Sequence, residues 1–98
     1  MIDLNEMARQ CLMNAKARIR NGARIDSDAL KCCASEVVEA VEARSRTSLY
    51  DDDFNEELAD IIICVLTEAE KYGIDIEDAL MMKVRKNTAR AQKEGDKL

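Results

Sequence analysis

The sequence predicts an all-α protein, a four-helix subunit that assembles as a dimer or tetramer. Its 98 residues include no proline and only three glycines, so little in the chain interrupts a helix. Apolar residues recur at three- and four-residue spacing, and start and stop signals divide the chain into four segments. The length fits one domain over residues 1–98, in which residues 93–98 are expected to form a mobile polar tail.

Helix one is expected from about Leu4 to Arg20. Asp3 is placed to cap it, Glu6 follows three residues later, and Asn21-Gly22 is a stop signal. Helix two is expected to start near Asp26-Ser27 and to reach about Arg44. Its expected core stripe consists of Leu30, Cys33, Ala34, Val37, Val38 and Val41.

Helix three is expected to begin with the capping pair Asp53 and Glu56 and to reach Tyr72, before Gly73. Its apolar run, Ile61-Ile62-Ile63-Cys64-Val65-Leu66, is short and β-branched enough to fit a buried strand, but the flanking residues favour a helix. Helix four is expected to start at the capping residue Asp75 and to end at about Ala91.

The same apolar run predicts assembly. A helix that is apolar on every side is expected to be buried on every side. A chain of this size buries only a modest fraction of its surface, so three neighbouring helices give too little cover. We therefore expect a homodimer or homotetramer.

Charge is distributed unevenly along the chain. Residues 26–82 carry 16 acidic and 4 basic side chains, whereas residues 1–25 carry 2 acidic and 5 basic ones and residues 83–98 carry 2 and 6. An acidic middle argues against a nucleic-acid groove, which needs a continuous basic surface. No apolar run is long enough to cross a membrane, and the four cysteines lack metal-binding or redox spacing. We expect a cytoplasmic protein with reduced thiols.

Two carboxylate pairs stand out in helical sequence: Glu36 with Glu39, and Glu57 with Asp60. Residues three apart on a helix share a face, so each pair directs two carboxylates the same way. Four clustered carboxylates must bind protons or hold a cation, and all-oxygen ligands suit Mg²⁺ or Mn²⁺. The alternative interpretation is that these glutamates decorate solvated helix faces, as such pairs often do.

The order and spacing of these motifs resemble the MazG-like, all-α nucleotide pyrophosphohydrolases. Glu36-x-x-Glu39, seventeen residues and then Glu57-x-x-Asp60 match that family's E-x-x-E and E-x-x-D signature. The string Glu57 to Ile62, the turn Gly73-Ile74-Asp75 and the segment Lys83…Lys86-Asn87-x-x-Arg90 also look like the family. The resemblance covers roughly residues 27–92, with a weaker echo in Asn14-Ala15-Lys16.

The resemblance implies Mg²⁺-dependent hydrolysis of a nucleoside triphosphate between its α and β phosphates. The four carboxylates Glu36, Glu39, Glu57 and Asp60 would hold the metal, with Glu39 as a candidate general base. The residues implied to contact substrate are Lys83, Asn87 and Arg90. Family members often place a tryptophan, histidine or phenylalanine against the base, and here Tyr50 or Phe54 could stack on it, with core packing the favoured interpretation of Phe54.

Two alternatives remain open from the sequence. The helices could form a non-catalytic interaction module, whose carboxylates pair with Arg85 or Arg90 of a partner chain. The enzyme could also act on another nucleotide, such as phosphoribosyl-ATP. In addition, Lys86 and its basic neighbours could simply be the solvated last-turn cations of a helix.

Overall fold

The computed structural model describes residues 2–23, 28–46 and 52–96. Over these ranges the chain forms four α-helices and no strand: α1 (Leu4–Arg20), α2 (Ala29–Arg46), α3 (Asp52–Lys71) and α4 (Ile76–Asp96). The prediction of an all-α, four-helix chain is confirmed. The number of copies in the assembly remains a prediction.

The bounds of α1 follow the predicted signals. The Asp3 carboxylate accepts hydrogen bonds from the backbone N–H groups of Asn5 and Glu6, at 3.0 and 3.1 Å. These contacts satisfy N–H groups that lack a partner inside the helix. At the other end, Asn21 is the C-cap and Gly22 adopts a φ of 87°. A glycine takes this conformation without the penalty that a Cβ would add.

Helix α2 begins just after Asp28, whose side chain caps it. Asp28 accepts hydrogen bonds from the backbone N–H groups of Leu30 and Lys31, at 3.1 and 3.2 Å. The predicted start at Asp26-Ser27 lies outside the described residues. The helix continues two residues past the predicted end, to Arg46.

The start of α3 corrects another expectation. Asp53 does not cap the helix, because α3 already includes Asp52 and Asp53 in its first turn. The end of α3 is close to its predicted position. Gly73 has a φ of 66°, and the backbone N–H of Ile74 donates to the Ala69 carbonyl at 2.9 Å.

Helix α4 runs to Asp96, past its predicted end at about Ala91, and the mobility expected of the tail stays a prediction. The residues after Ala91 are mostly good helix formers, so polarity alone does not end the helix. The predicted cap is confirmed, since Asp75 accepts a hydrogen bond from the Asp78 backbone N–H at 3.0 Å. Residues 97–98 lie outside the described ranges.

Helix α3 is the centre of the subunit and packs against both α1 and α2. The residues of α2 that this packing buries are small, notably Ala40 and Ala43. The predicted core stripe of α2 is therefore wrong within one chain. Its valines and leucine are about half exposed, namely Leu30, Val37, Val38 and Val41. Small side chains let two helices approach closely, which explains why α2 packs on α3 through its alanines rather than its valines.

The apolar run of α3 is not enclosed within one chain. Leu66 is buried, but Ile62, Ile63 and Val65 are 38–54% exposed. Among the described residues, no large side chain is fully buried. Within the single chain this exposure agrees with the expectation that the neighbouring helices give too little cover, and burial of the run by a second copy stays a prediction.

No helix in the described ranges is long and apolar enough to span a membrane.

Candidate metal centre

Three of the four predicted carboxylates meet between α2 and α3. Glu36 and Glu39 come from α2 and Glu57 comes from α3. Each offers one carboxylate oxygen, and these oxygens all lie within 4.8 Å of one another. Glu36 and Glu57 are half-buried, whereas Glu39 is exposed. We refer to these three residues as the carboxylate cluster.

The packing of α2 explains how the cluster forms. Ala40 lies four residues after Glu36, on the same side of the helix, and is buried along with Ala43. The contact that buries these alanines carries the carboxylate of Glu36 toward α3. The sequence pattern did not reveal this, because it assigned the packed face to the valines.

Crowding strongly perturbs Glu36. The pKa of its carboxyl group is raised from the ordinary 4.5 to about 7. Burial is the largest cause, and the neighbouring charges of Glu39, Asp60 and Glu57 add to it. Both causes penalise the ionised form. Without a cation, the cluster therefore retains a proton near neutral pH.

Glu57 experiences the same environment. Burial raises the pKa of its carboxyl group, and the charges of Glu39 and Asp60 act in the same direction. In addition, one oxygen of Glu36 and one of Glu57, Oε2 in each case, are buried without a hydrogen-bond partner among the described residues. Buried oxygens of this kind need a donor or a cation.

These observations test whether a divalent ion fits. The donor set consists entirely of carboxylate oxygens, which suits hard ions such as Mg²⁺ and Mn²⁺. A bound cation would neutralise the repulsion and engage the two unpartnered oxygens. The residues present fit such an ion.

Asp60 stands apart from the three glutamates. It is exposed and is not in the group whose oxygens lie within 4.8 Å. Its charge nevertheless raises the pKa of both Glu36 and Glu57. Its role as a ligand stays a prediction.

An open cavity of about 360 Å³ lies between α1, α3 and the first turn of α2. Its lining is mainly apolar and includes thiols, with the cations Lys16, Arg18 and Lys71 among the polar residues. The other lining residues are Cys11, Leu12, Asn14, Ala15, Ile19, Ala29, Cys32, Ile63, Cys64 and Thr67. The segment Asn14-Ala15-Lys16, which weakly resembles the family, lines this cavity, but the sequence did not predict the cavity itself.

The cavity adjoins the carboxylate cluster. Burial raises the pKa of the Cys64 thiol to about 11, with further contributions from the nearby Cys33, Glu36, Cys32 and Asp60. Cys64 thus lines the cavity and also lies close to Glu36. All four cysteines belong to the described helices, and none forms a disulfide.

The predicted substrate residues are not brought to the cluster within one chain. Lys83, Asn87 and Arg90 are exposed on α4, where spacings of four and three residues place them on one side of the helix. Over the described ranges, α4 contacts α1 and α3 but not α2, which carries Glu36 and Glu39. Tyr50 lies outside the described residues.

Comparison with known proteins adds one finding to this geometry. The sequence model of the MazG nucleotide pyrophosphohydrolase domain matches residues 28–94. The match includes the carboxylate cluster, all of α2 and α3, and α4 nearly to its end. No curated protein matches the chain significantly, and neither does any solved structure.

Proposed function

The chain belongs to the MazG nucleotide pyrophosphohydrolase domain family, and from this premise we propose that it hydrolyses a nucleoside triphosphate to its monophosphate and pyrophosphate. The proposed reaction cleaves between the α and β phosphates and depends on Mg²⁺, which Mn²⁺ could replace. One observation carries the proposal: the carboxylate cluster gathers three oxygens within 4.8 Å and leaves two buried oxygens without hydrogen-bond partners.

Glu36, Glu39 and Glu57 would hold the ion, with Asp60 as a further ligand. When bound, the ion neutralises phosphate charge and activates water for attack. Glu39 is the exposed member of the cluster, so solvent reaches it directly. We assign Glu39 the general-base role, in which its carboxylate accepts the proton of the attacking water.

The adjoining cavity is the proposed place for the nucleoside. Its apolar lining suits the faces of a base, and the few polar groups among the lining residues would fix orientation. Lys16, Arg18 and Lys71 bring positive charge to a site whose substrate is an anion. This arrangement would hold the phosphates between the cations and the cluster.

We further propose that a second copy of the chain covers the exposed apolar surface. Val37, Val41 and Leu58 line a groove of about 180 Å³ between α2 and α3, and each is more than 40% exposed. Burying them would supply the core that one chain lacks. A homodimer is the smallest assembly that does so, and a homotetramer would be two such pairs. A neighbouring copy could also bring Lys83, Asn87 and Arg90 toward the cluster.

The decisive experiment measures pyrophosphate release from a panel of nucleotides, with and without Mg²⁺. The panel includes the common ribo- and deoxyribonucleoside triphosphates and phosphoribosyl-ATP. We expect turnover only with the metal, and its loss in Glu57→Gln, which removes one charge from the cluster. Glu56→Gln is the matched control, because Glu56 is an exposed neighbour outside the cluster.

The remaining outcomes separate the alternatives. Turnover of phosphoribosyl-ATP alone would show another nucleotide pyrophosphohydrolase. No turnover on any nucleotide, together with metal-independent folding, would favour a non-catalytic interaction module. Equal turnover by wild type and Glu57→Gln would remove the cluster from the active site.

Assembly is tested separately by light scattering at micromolar concentration. Val41→Lys should reduce the assembly, because it places a charge in the groove between α2 and α3. Met13→Lys is the control, since Met13 is 62% exposed and lines neither cavity. A wild type that is monomeric under these conditions would contradict the proposal.

A further inference from the structure

Asn5, near the start of α1, joins that helix to the start of α4. Its side-chain Nδ2 donates to the Asp75 carboxylate at 2.9 Å, and its Oδ1 accepts from the Glu77 backbone N–H at 3.3 Å. These partners lie 70 and 72 residues away in the chain. Both hydrogen bonds therefore join parts of the chain that meet only through tertiary packing.

The chemistry of this bridge requires an amide. An ionised carboxylate such as Asp75 only accepts hydrogen bonds, whereas a backbone N–H such as that of Glu77 only donates. The Asn5 side chain carries one donor group and one acceptor, so it satisfies both partners at once. The hydrogen bond from Asn5 is also the largest cause of the lowered pKa of Asp75.

Helix α4 has little other attachment to the subunit. Ile76 and Glu77 are half-buried, and every residue from 78 to 95 is exposed. The Gly73 turn ties the helix to α3 through the backbone, and Asn5 supplies a second point of attachment on α1. The helix can pivot about the Gly73 turn, and the hydrogen bonds from Asn5 to Asp75 and Glu77 restrict that pivoting.

A small tilt would be amplified along the helix. Arg90 lies about 21 Å beyond Ile76 at 1.5 Å per residue, so a tilt of about 10° would move it by about 4 Å. A displacement of this size is enough to break a hydrogen bond, which needs a donor–acceptor distance of about 2.7–3.2 Å. Under the proposed function, the direction of α4 therefore decides whether Lys83, Asn87 and Arg90 together reach phosphates bound at the cluster of a neighbouring copy.

We propose that Asn5 is a positioning residue, which sets the direction of α4 and so the placement of its phosphate-binding side chains. This inference rests on the proposed function for the role of Lys83, Asn87 and Arg90. The orientation of α4 itself can be measured without any turnover. The two parts of the inference can therefore fail separately.

The test exchanges the two partners. Asn5→Asp places two carboxylates together and removes the hydrogen bond to Asp75, since neither carboxylate can donate to the other. The double variant Asn5→Asp with Asp75→Asn restores it, because the new amide donates to the new carboxylate and asparagine still caps a helix. Asn55→Ala is the control, because Asn55 is an exposed amide in the first turn of α3.

The first measurement is structural. Spin labels at positions 13 and 93, introduced through noncanonical amino acids, report the distance between α1 and the end of α4 by electron–electron double resonance. Excess unlabelled protein restricts the signal to distances within one chain. We expect a narrow distribution in wild type, a broad one in Asn5→Asp and a narrow one again in the double variant. Identical distributions in all three would overturn the proposal.

The second measurement is steady-state kinetics with Mg²⁺. Contacts made equally to the bound substrate and the transition state affect KM rather than kcat. Asn5→Asp should therefore raise KM about tenfold with kcat nearly unchanged, and the double variant should restore it. A fall in kcat that only follows lost folded protein would mean a purely structural role and would overturn the proposal. If wild type has no turnover, the proposed function fails, while the distance measurement still decides the role of Asn5.

Discussion

Helices α2 and α4 both carry predicted site residues, but the subunit holds them in different ways. Helix α2 packs along α3 through small buried side chains such as Ala40 and Ala43. Helix α4 touches α1 and α3 but is exposed from residue 78 to residue 95. The carboxylate cluster is accordingly formed within one chain, whereas the basic side chains of α4 are not placed against it. A long packed contact places side chains directly against the neighbouring helix, whereas an attachment at one end can set only the direction of a helix.

The largest effect is expected on turnover, from substitutions of the basic side chains of α4. If Lys83 and Arg90 contact phosphate as proposed, Lys83→Ala and Arg90→Ala should each lose a charged contact worth roughly 1.5–3 kcal/mol, or about ten- to more than a hundredfold in kcat/KM. Both residues are exposed, so the melting temperature should hardly change. The measurement is turnover of the best substrate from the nucleotide panel.

Arg85→Ala is the matched control, because Arg85 is on the same helix but off the side that carries Lys83 and Arg90. Undiminished turnover in both test variants would return these cations to the interpretation as a solvated helix face.

A second prediction concerns the packing of α2 on α3. Ala40→Leu forces a larger side chain between α2 and α3, which should cost about 1–3 kcal/mol of unfolding free energy. It should also weaken Mg²⁺ binding, because the glutamates of the two helices would be moved apart. Urea unfolding at fixed protein concentration and Mg²⁺ titration measure the two effects.

The same substitution at an exposed position of α2 is the control for packing. Ala34→Leu should change the unfolding free energy by less than about 0.5 kcal/mol. If Ala40→Leu were equally mild, the close packing of α2 on α3 would not be what forms the cluster.

The smallest expected effect is the dependence of stability on pH. The Glu36 carboxyl group has a pKa of about 7 in the folded chain, against an ordinary value of 4.5. Between these two pH values the folded state binds more protons than the unfolded state. The contribution of Glu36 to stability is therefore complete below about pH 4.5 and is lost as pH rises through 7. Partial exposure and solvent screening keep this effect modest. Metal-free protein should therefore melt at a lower temperature at pH 8 than at pH 5.5.

Mg²⁺ should oppose the loss of stability at high pH, because it competes with the proton for the carboxylates of the cluster. The increase in melting temperature on adding Mg²⁺ should be larger at pH 8 than at pH 5.5. Glu36→Gln cannot ionise and should flatten the pH dependence of the metal-free protein. An unchanged slope in this variant would assign the titration to another group.

Sequence alone was enough for the elements whose causes are local. The caps at Asp3 and Asp75 and the stop at Gly73 follow from hydrogen bonds and backbone angles within a few residues. The family was also recognisable from sequence, because the spacing of the four carboxylates along the chain does not depend on how the helices pack.

Tertiary structure decided which face of each helix is used. The periodicity of α2 predicted a valine face, but the packed face is made of alanines and brings Glu36 to Glu57. Hydrophobicity ranks faces by transfer from water, whereas close helix approach depends on side-chain size. The bridge from Asn5 to Asp75 was equally invisible in sequence, since 70 residues separate two side chains that meet only when α1 and α4 are both in place.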